Sequence, residues 1–159
     1  MNENKIYPFN NSIETGLRML IVLTSAYPSK YDIDHLVYFD YMVVHSGDID
    51  PQVKSLHPAV PNRSGEIFVR RSLIQDGIDV FIQKGLISKY YNESGIQYGA
   101  TEISTPFLEA LNEGYTENLI ERANWVMEKY AFFELKKLHK LMNYNLSKIR
   151  NEFNLEIIK

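Results

Sequence analysis

The chain has 159 residues, 17 Lys+Arg against 20 Asp+Glu, and 45% hydrophobic residues, enough apolar side chain for a real core and too much for wholesale disorder. With no cysteine, disulfides, thiolate nucleophiles, iron–sulfur clusters and Cys-based zinc sites are excluded. No apolar run approaches the ~18–20 residues of a membrane span, and no basic leader precedes Met19–Leu23, so a soluble, cytoplasmic protein of one domain, or one domain with an appendage, is expected.

In chain order, Asn11 with Glu14 three residues on marks the start of a helix at about Ser12, with Ile13, Leu17, Leu20 and Ile21 at helical spacing and Pro28 beyond its end. Asp32 caps a second helix, Ile33 to about Val44, apolar on most sides and therefore buried almost all round. Ser46-Gly47-Asp48 breaks it, and a loop with Pro51, Pro58 and Pro61 runs to about Asn62. A third helix spans about Ser64 or Gly65 to Lys84, bent at Gly77 and closed by a left-handed Gly85. Two short runs, Leu86–Tyr91 and Ile96–Thr101, flank Asn92-Glu93-Ser94-Gly95 and read as a β-hairpin. Another helix starts at Thr101 or Ser104 and reaches about Leu111. The remainder is helical: Thr116 to about Tyr130, then about Phe133 to Phe153. The expected fold is mainly α with a small β-hairpin, a winged helix-turn-helix domain over residues 1–112 with an N-terminal arm, and a C-terminal helical appendage over 113–159.

In a winged helix the third helix would face DNA, offering Arg70 and Arg71 near its start and Lys89 on the wing. Asp76 and Asp79 on the same helix, and Glu93 on the wing, would face a duplex bearing about one negative charge per 1.7 Å. These residues make a DNA-binding regulator the alternative reading rather than the first. Charge is divided along the chain: residues 102–120 hold four carboxylates and no basic group, whereas residues 121–159 hold eight basic and five acidic groups.

His35, His45, His57 and His139 make no helical i,i+4 pair, and neither a phosphate loop nor a Gly-x-Ser-x-Gly elbow occurs. Ser46, beside His45 and Asp48, comes nearest to an activated nucleophile, and a helix end followed by a turn explains it more simply. No catalytic residue, metal or cofactor is expected. Tyr38, Tyr41, Tyr90, Tyr91 and Tyr98 fall in the second helix and the hairpin, as core or as interface. In the last helix Leu135, Leu138, Met142, Leu146, Ile149, Phe153 and Ile157 form one stripe. It serves either packing on the preceding helix, through Leu119, Ala123, Val126 and Tyr130, or a partner.

Several stretches together resemble a family: Leu36-Val37-Tyr38-Phe39-Asp40-Tyr41, Val44-His45-Ser46-Gly47-Asp48, Ser55-Leu56-His57-Pro58, Arg63-Ser64-Gly65-Glu66, Val69-Arg70-Arg71, Lys84-Gly85-Leu86-Ile87, Gly95-Ile96-Gln97-Tyr98 with Ala100-Thr101-Glu102, and Arg122-Ala123-Asn124-Trp125-Val126. Over roughly residues 12–130 the chain is similar to the middle component of bacterial ABC-three-component systems, the small C subunit of Lamassu-type defence complexes. The resemblance implies a non-catalytic subunit acting with an SMC-like ATPase and a nuclease-type effector against phage and plasmids, touching DNA, if at all, within the assembly. The loop from His45 to Glu66 is then the candidate for partner contact, through His45, Ser46, Gly47, Asp48, His57, Arg63 and Glu66. Anchoring of that loop on the core is the competing reading for the same residues.

Overall fold

The computed structural model describes residues 11–59, 63–111 and 113–158, with residues 63, 64, 66, 68 and 149–158 described as helix without their side chains. Helix α1, Ser12–Ser25, begins where the Asn11 side chain accepts from Glu14 N at 2.8 Å. It buries Met19, Leu20, Ile21, Val22 and Leu23 consecutively, as a helix does only when covered on most sides. The covering is done by α2 (Ile33–Val44), α4 (Arg63–Gln83), α5 (Ser104–Glu109), α6 (Gly114–Tyr130) and the hairpin. Helix α2 starts on Asp32, which accepts from His35 N at 2.8 Å, and buries Leu36, Val37 and Phe39–Val44.

The break after α2 is itself a single helical turn, α3 (Ser46–Ile49). The following loop returns to its own start: Leu56 N and His57 N both donate to Val44 O, at 3.0 and 2.9 Å.

Gly77 lies within α4. It meets Gly16 of α1, and a Cβ built on it would lie 2.5 Å from Gly16 N and 2.5 Å from Ser12 O. The glycine is there because two helix backbones touch. At the other end of α4 Gly85 is left-handed, φ +74°, with Gly85 N donating to Ile82 O and Leu86 N to Phe81 O. Those two bonds are a Schellman cap.

Strands β1 (Ile87–Asn92) and β2 (Gly95–Ala100) pair antiparallel from Ile87 opposite Ala100 to Asn92 opposite Gly95. Tyr31 adds one residue to the outer edge of β2 by exchanging both backbone bonds with Tyr98, at 2.9 and 2.8 Å. The fold is mainly helical with a two-stranded antiparallel hairpin, as the sequence pattern predicts.

Helices α6 and α7 (Leu135–Ile158), read from the sequence as an appendage to the first 112 residues, contribute Leu119, Ala123, Val126, Met127, Leu138, Met142 and Leu146 to the same apolar cluster as α1, α2 and α4. Helix α6 lies on α1 and α2, while α7 lies on α2 and α3. The described part of the α7 stripe, Leu138, Met142 and Leu146, therefore lies on the side of the second helix and the turn after it.

Candidate functional site

Two charged residues sit within the apolar stretches of their helices and find each other. Asp40 of α2 is fully buried, and Arg18 of α1 is 1% exposed. Arg18 Nε donates to Asp40 Oδ1 at 2.7 Å, and its Nη2 to Oδ2 at 3.3 Å. From α4, Arg70 Nη1 donates to Asp40 Oδ2 at 2.5 Å. Burial opposes the charge on Asp40, and the guanidiniums of Arg18 and Arg70 overcome it, holding the carboxyl at about 2. Burial likewise works against Arg18, and the Asp40 carboxylate outweighs it, so its pKa is raised. One carboxylate thus ties three helices together.

The network continues under the loop. Tyr41 packs on Arg70, whose guanidinium carbon lies 5.6 Å from the ring centre, and its hydroxyl donates to Asp48 Oδ2 at 2.5 Å. The His45 ring lies 4.7 Å from that of Tyr41 and 6.2 Å, edge-on, from that of His57. Ser46 Oγ donates to Val43 O, and Gly47 N donates to Ser55 Oγ at 2.9 Å. A Cβ on Gly47 would sit 2.9 Å from that same Ser55 oxygen and 3.2 Å from Val53 O, so the loop closes directly on the glycine.

On the α6 side, Tyr115 Oη and His57 Nε2 are 2.5 Å apart. Arg18, which can only donate, is also hydrogen-bonded to Tyr115. Tyr115 Oη thus links the Arg18 guanidinium to the imidazole of His57. Burial, then the charges of Arg18 and His45, push the pKa of His57 down to about 4.

A histidine that ionises near 4 when folded and near 6.5 when unfolded makes the unfolded chain the better proton acceptor between those values. Stability is then expected to fall as pH drops from about 6.5 towards 4, by up to ~1.4 kcal/mol per pH unit from this residue. Urea unfolding of wild type and His57→Gln at pH 7.5 and 5 measures it. The variant loses that part of the slope, and equal slopes in the two proteins would refute the assignment.

The residues singled out in the sequence are thus brought together, but inward. His45, Ser46 and His57 are 2%, 0% and 7% exposed, so the side chains expected to meet a partner instead fasten the loop to the core. Gly47 and Asp48 are half-buried in the same knot. The side chains of Arg63 and Glu66 lie outside the described residues.

Arg70, expected on a DNA-facing surface, is 3% exposed and bound to Asp40. Arg71 is exposed and paired with Asp34 of α2. Lys89 is exposed on the wing, and its pKa is raised by its hydrogen bond with Tyr91. Sequence reasoning missed Arg18, Asp40 and Tyr115. For the first two a signal existed, charges of opposite sign within the apolar stretches of two helices; for Tyr115 there was none.

Among the described residues, no group of three or more His, Cys, Asp or Glu is placed to hold a metal ion, and no helix is long and apolar enough to cross a membrane. A groove of about 660 Å³ opens elsewhere, between α2, α4 and α7. No curated protein and no solved structure matches the chain. The family comparison does match, over residues 8–152, and on that match the chain belongs to the ABC-three component (ABC-3C) system Middle Component 2 family.

Proposed function

We propose that this chain is a non-catalytic adaptor subunit of a bacterial antiviral defence complex of the Lamassu type, linking an SMC-like ATPase to a nuclease-type effector. Membership of a middle-component family supplies the multi-protein setting. The observation that carries the adaptor role is the use made of the titratable cluster. Asp40, Arg18 and Arg70 are buried and bonded to one another, and His45 and His57 are buried beside them with His57 bonded to Tyr115, which holds a shape and offers no open cleft to a substrate. In this reading residues 1–112 form a winged-helix domain, with Tyr31 beside β2 as its third short strand, and residues 113–159 complete the docking body. Partner contact by the loop falls to its exposed residues, such as Gln52 and Lys54, rather than to the inward-facing histidines.

Co-expression with the ATPase and effector encoded with it tests the reading. A stable complex through size-exclusion chromatography is expected, and a solitary chain would refute it. The DNA-regulator alternative is disfavoured by the loss of Arg70 to the core and by exposed Asp76 and Asp79 on α4. The isolated chain is expected to give no mobility shift with duplex DNA at low salt, where phosphate contacts are strongest; a shift that weakens steeply with salt would restore the alternative.

A further inference from the structure

The corner between α6 and α7 carries a side chain that the fold does not use. Phe132 is 96% exposed. The backbone on either side of it is held: Tyr31 Oη donates to Ala131 O at 3.0 Å, and His35 Nε2 donates to Phe133 O at 3.1 Å. A ring left in water adds nothing to folding stability, while a fixed mounting reduces the entropy lost when a partner covers it.

Three residues on, Leu135 lines both the depression beside Phe132 and the 660 Å³ groove between α2, α4 and α7. Ring and groove thus adjoin across Leu135. The groove takes Val37, Tyr38, Ile67 and Leu135 from three helices, with Lys136 and His139 on its α7 side. Its charge is lopsided. Arg71 on the α4 side is taken up by Asp34, whereas Lys136 and Lys140 of α7 have no ion-pair partner among the described residues.

We infer that this surface docks an amphipathic helix of a partner protein, with apolar residues at i, i+3 or i+4 and i+7 in the groove, carboxylates along the edge facing α7, and an apolar pocket that receives Phe132. The inference rests on the adaptor reading and gives it a docking face. Helix-in-groove recognition uses this combination of apolar floor and charged rim, and exposed aromatic anchors are where interface energy concentrates. Duplex DNA would satisfy the lysines and leave the apolar floor and Phe132 without a role.

The test places the photoreactive p-benzoylphenylalanine at position 132 of the full chain, co-expressed with the ATPase and effector subunits of its system, and maps the crosslinked peptide. Phe132→Ser and Lys136→Glu are compared with wild type for subunit retention at physiological salt. The expected crosslink enters a partner segment with helical apolar spacing and flanking Asp or Glu. Each variant is expected to weaken retention about tenfold or more, while its melting temperature stays within about 2 °C of wild type because both positions are exposed. A crosslink to a second copy of this chain, to DNA, or to a segment lacking that pattern overturns the inference. So does undiminished retention by both variants, which leaves the adaptor reading intact; a wild-type chain that retains neither subunit overturns both.

Discussion

Alanine at position 77 is expected to lower the melting temperature by about 10 °C, although helix propensity alone argues for a gain. Glycine within a helix costs roughly 1 kcal/mol relative to alanine, so an exposed Gly77 would be a site to stabilise. Here the new methyl group would lie 2.5 Å from Gly16 N and from Ser12 O and 2.7 Å from Gly16 Cα, all of them backbone atoms of α1. Backbone in the first turns of a packed helix cannot turn aside as a side-chain tip can, so α1 and α4 must separate. Separation loosens the contact around Ile74, Ile78 and Phe81 as well.

Overpacking of this kind costs about 3 kcal/mol or more, well beyond the propensity gain, and each kcal/mol is worth roughly 2–4 °C in a chain of this size. Gly16→Ala meets Gly77 O at 2.6 Å and the Phe81 ring at 2.7 Å, and is expected to behave similarly. Gly114→Ala, with nothing within 4 Å, serves as the control and is expected to be neutral or slightly stabilising. Thermal unfolding followed by circular dichroism decides the matter: a Gly77→Ala protein as stable as wild type would remove the close helix crossing from the account.

Gly77 also marks where the sequence stops being readable. Local chemistry was legible in it. Asn11 and Asp32 do cap α1 and α2, Gly85 is the left-handed residue that ends α4, and the hairpin turns at the residues that turn chemistry points to. Each of those depends on partners a few residues away. The contact that requires glycine at position 77 was hidden because its partner, Gly16, is 61 positions distant in sequence. His45, Ser46 and His57 stood out as a motif, yet their direction was hidden. Whether a polar loop faces water or the core depends on what lies beneath it, and beneath it lie Arg70 of α4 and Tyr115 of α6. The stripe on α7 was visible, but periodicity names a buried face without naming what covers it.

The largest loss of stability is expected from Asp40→Ala. The replacement leaves Arg18 and Arg70, 1% and 3% exposed, as two like charges in a core with no carboxylate between them. Breaking a buried ion pair from one side costs about 3–5 kcal/mol, and here one deletion takes the shared carboxylate from two guanidiniums, so Asp40→Ala is expected towards the upper end. Asp40→Asn keeps an acceptor for Arg18 without the charge, and is expected to be intermediate. Replacing all three residues, as Arg18→Met, Asp40→Leu and Arg70→Met together, removes the charges with the hydrogen bonds and is expected to recover much of the loss.

Acid provides an independent route to the same carboxylate. It ionises near 2 in the fold and near 3.8 when unfolded, so as pH falls the unfolded chain binds the proton first. The contribution of Asp40, about 2 kcal/mol, is therefore complete above about pH 4 and is lost as pH falls through 2. Because His57 acts between about 6.5 and 4, acid weakens the molecule in two successive windows, first where α6 meets the loop and then where α1, α2 and α4 meet. Equilibrium unfolding of wild type, Asp40→Asn and the triple variant across that range separates the two. A triple variant no more stable than Asp40→Ala would mean that the three residues matter for their shape and packing rather than for balanced charge.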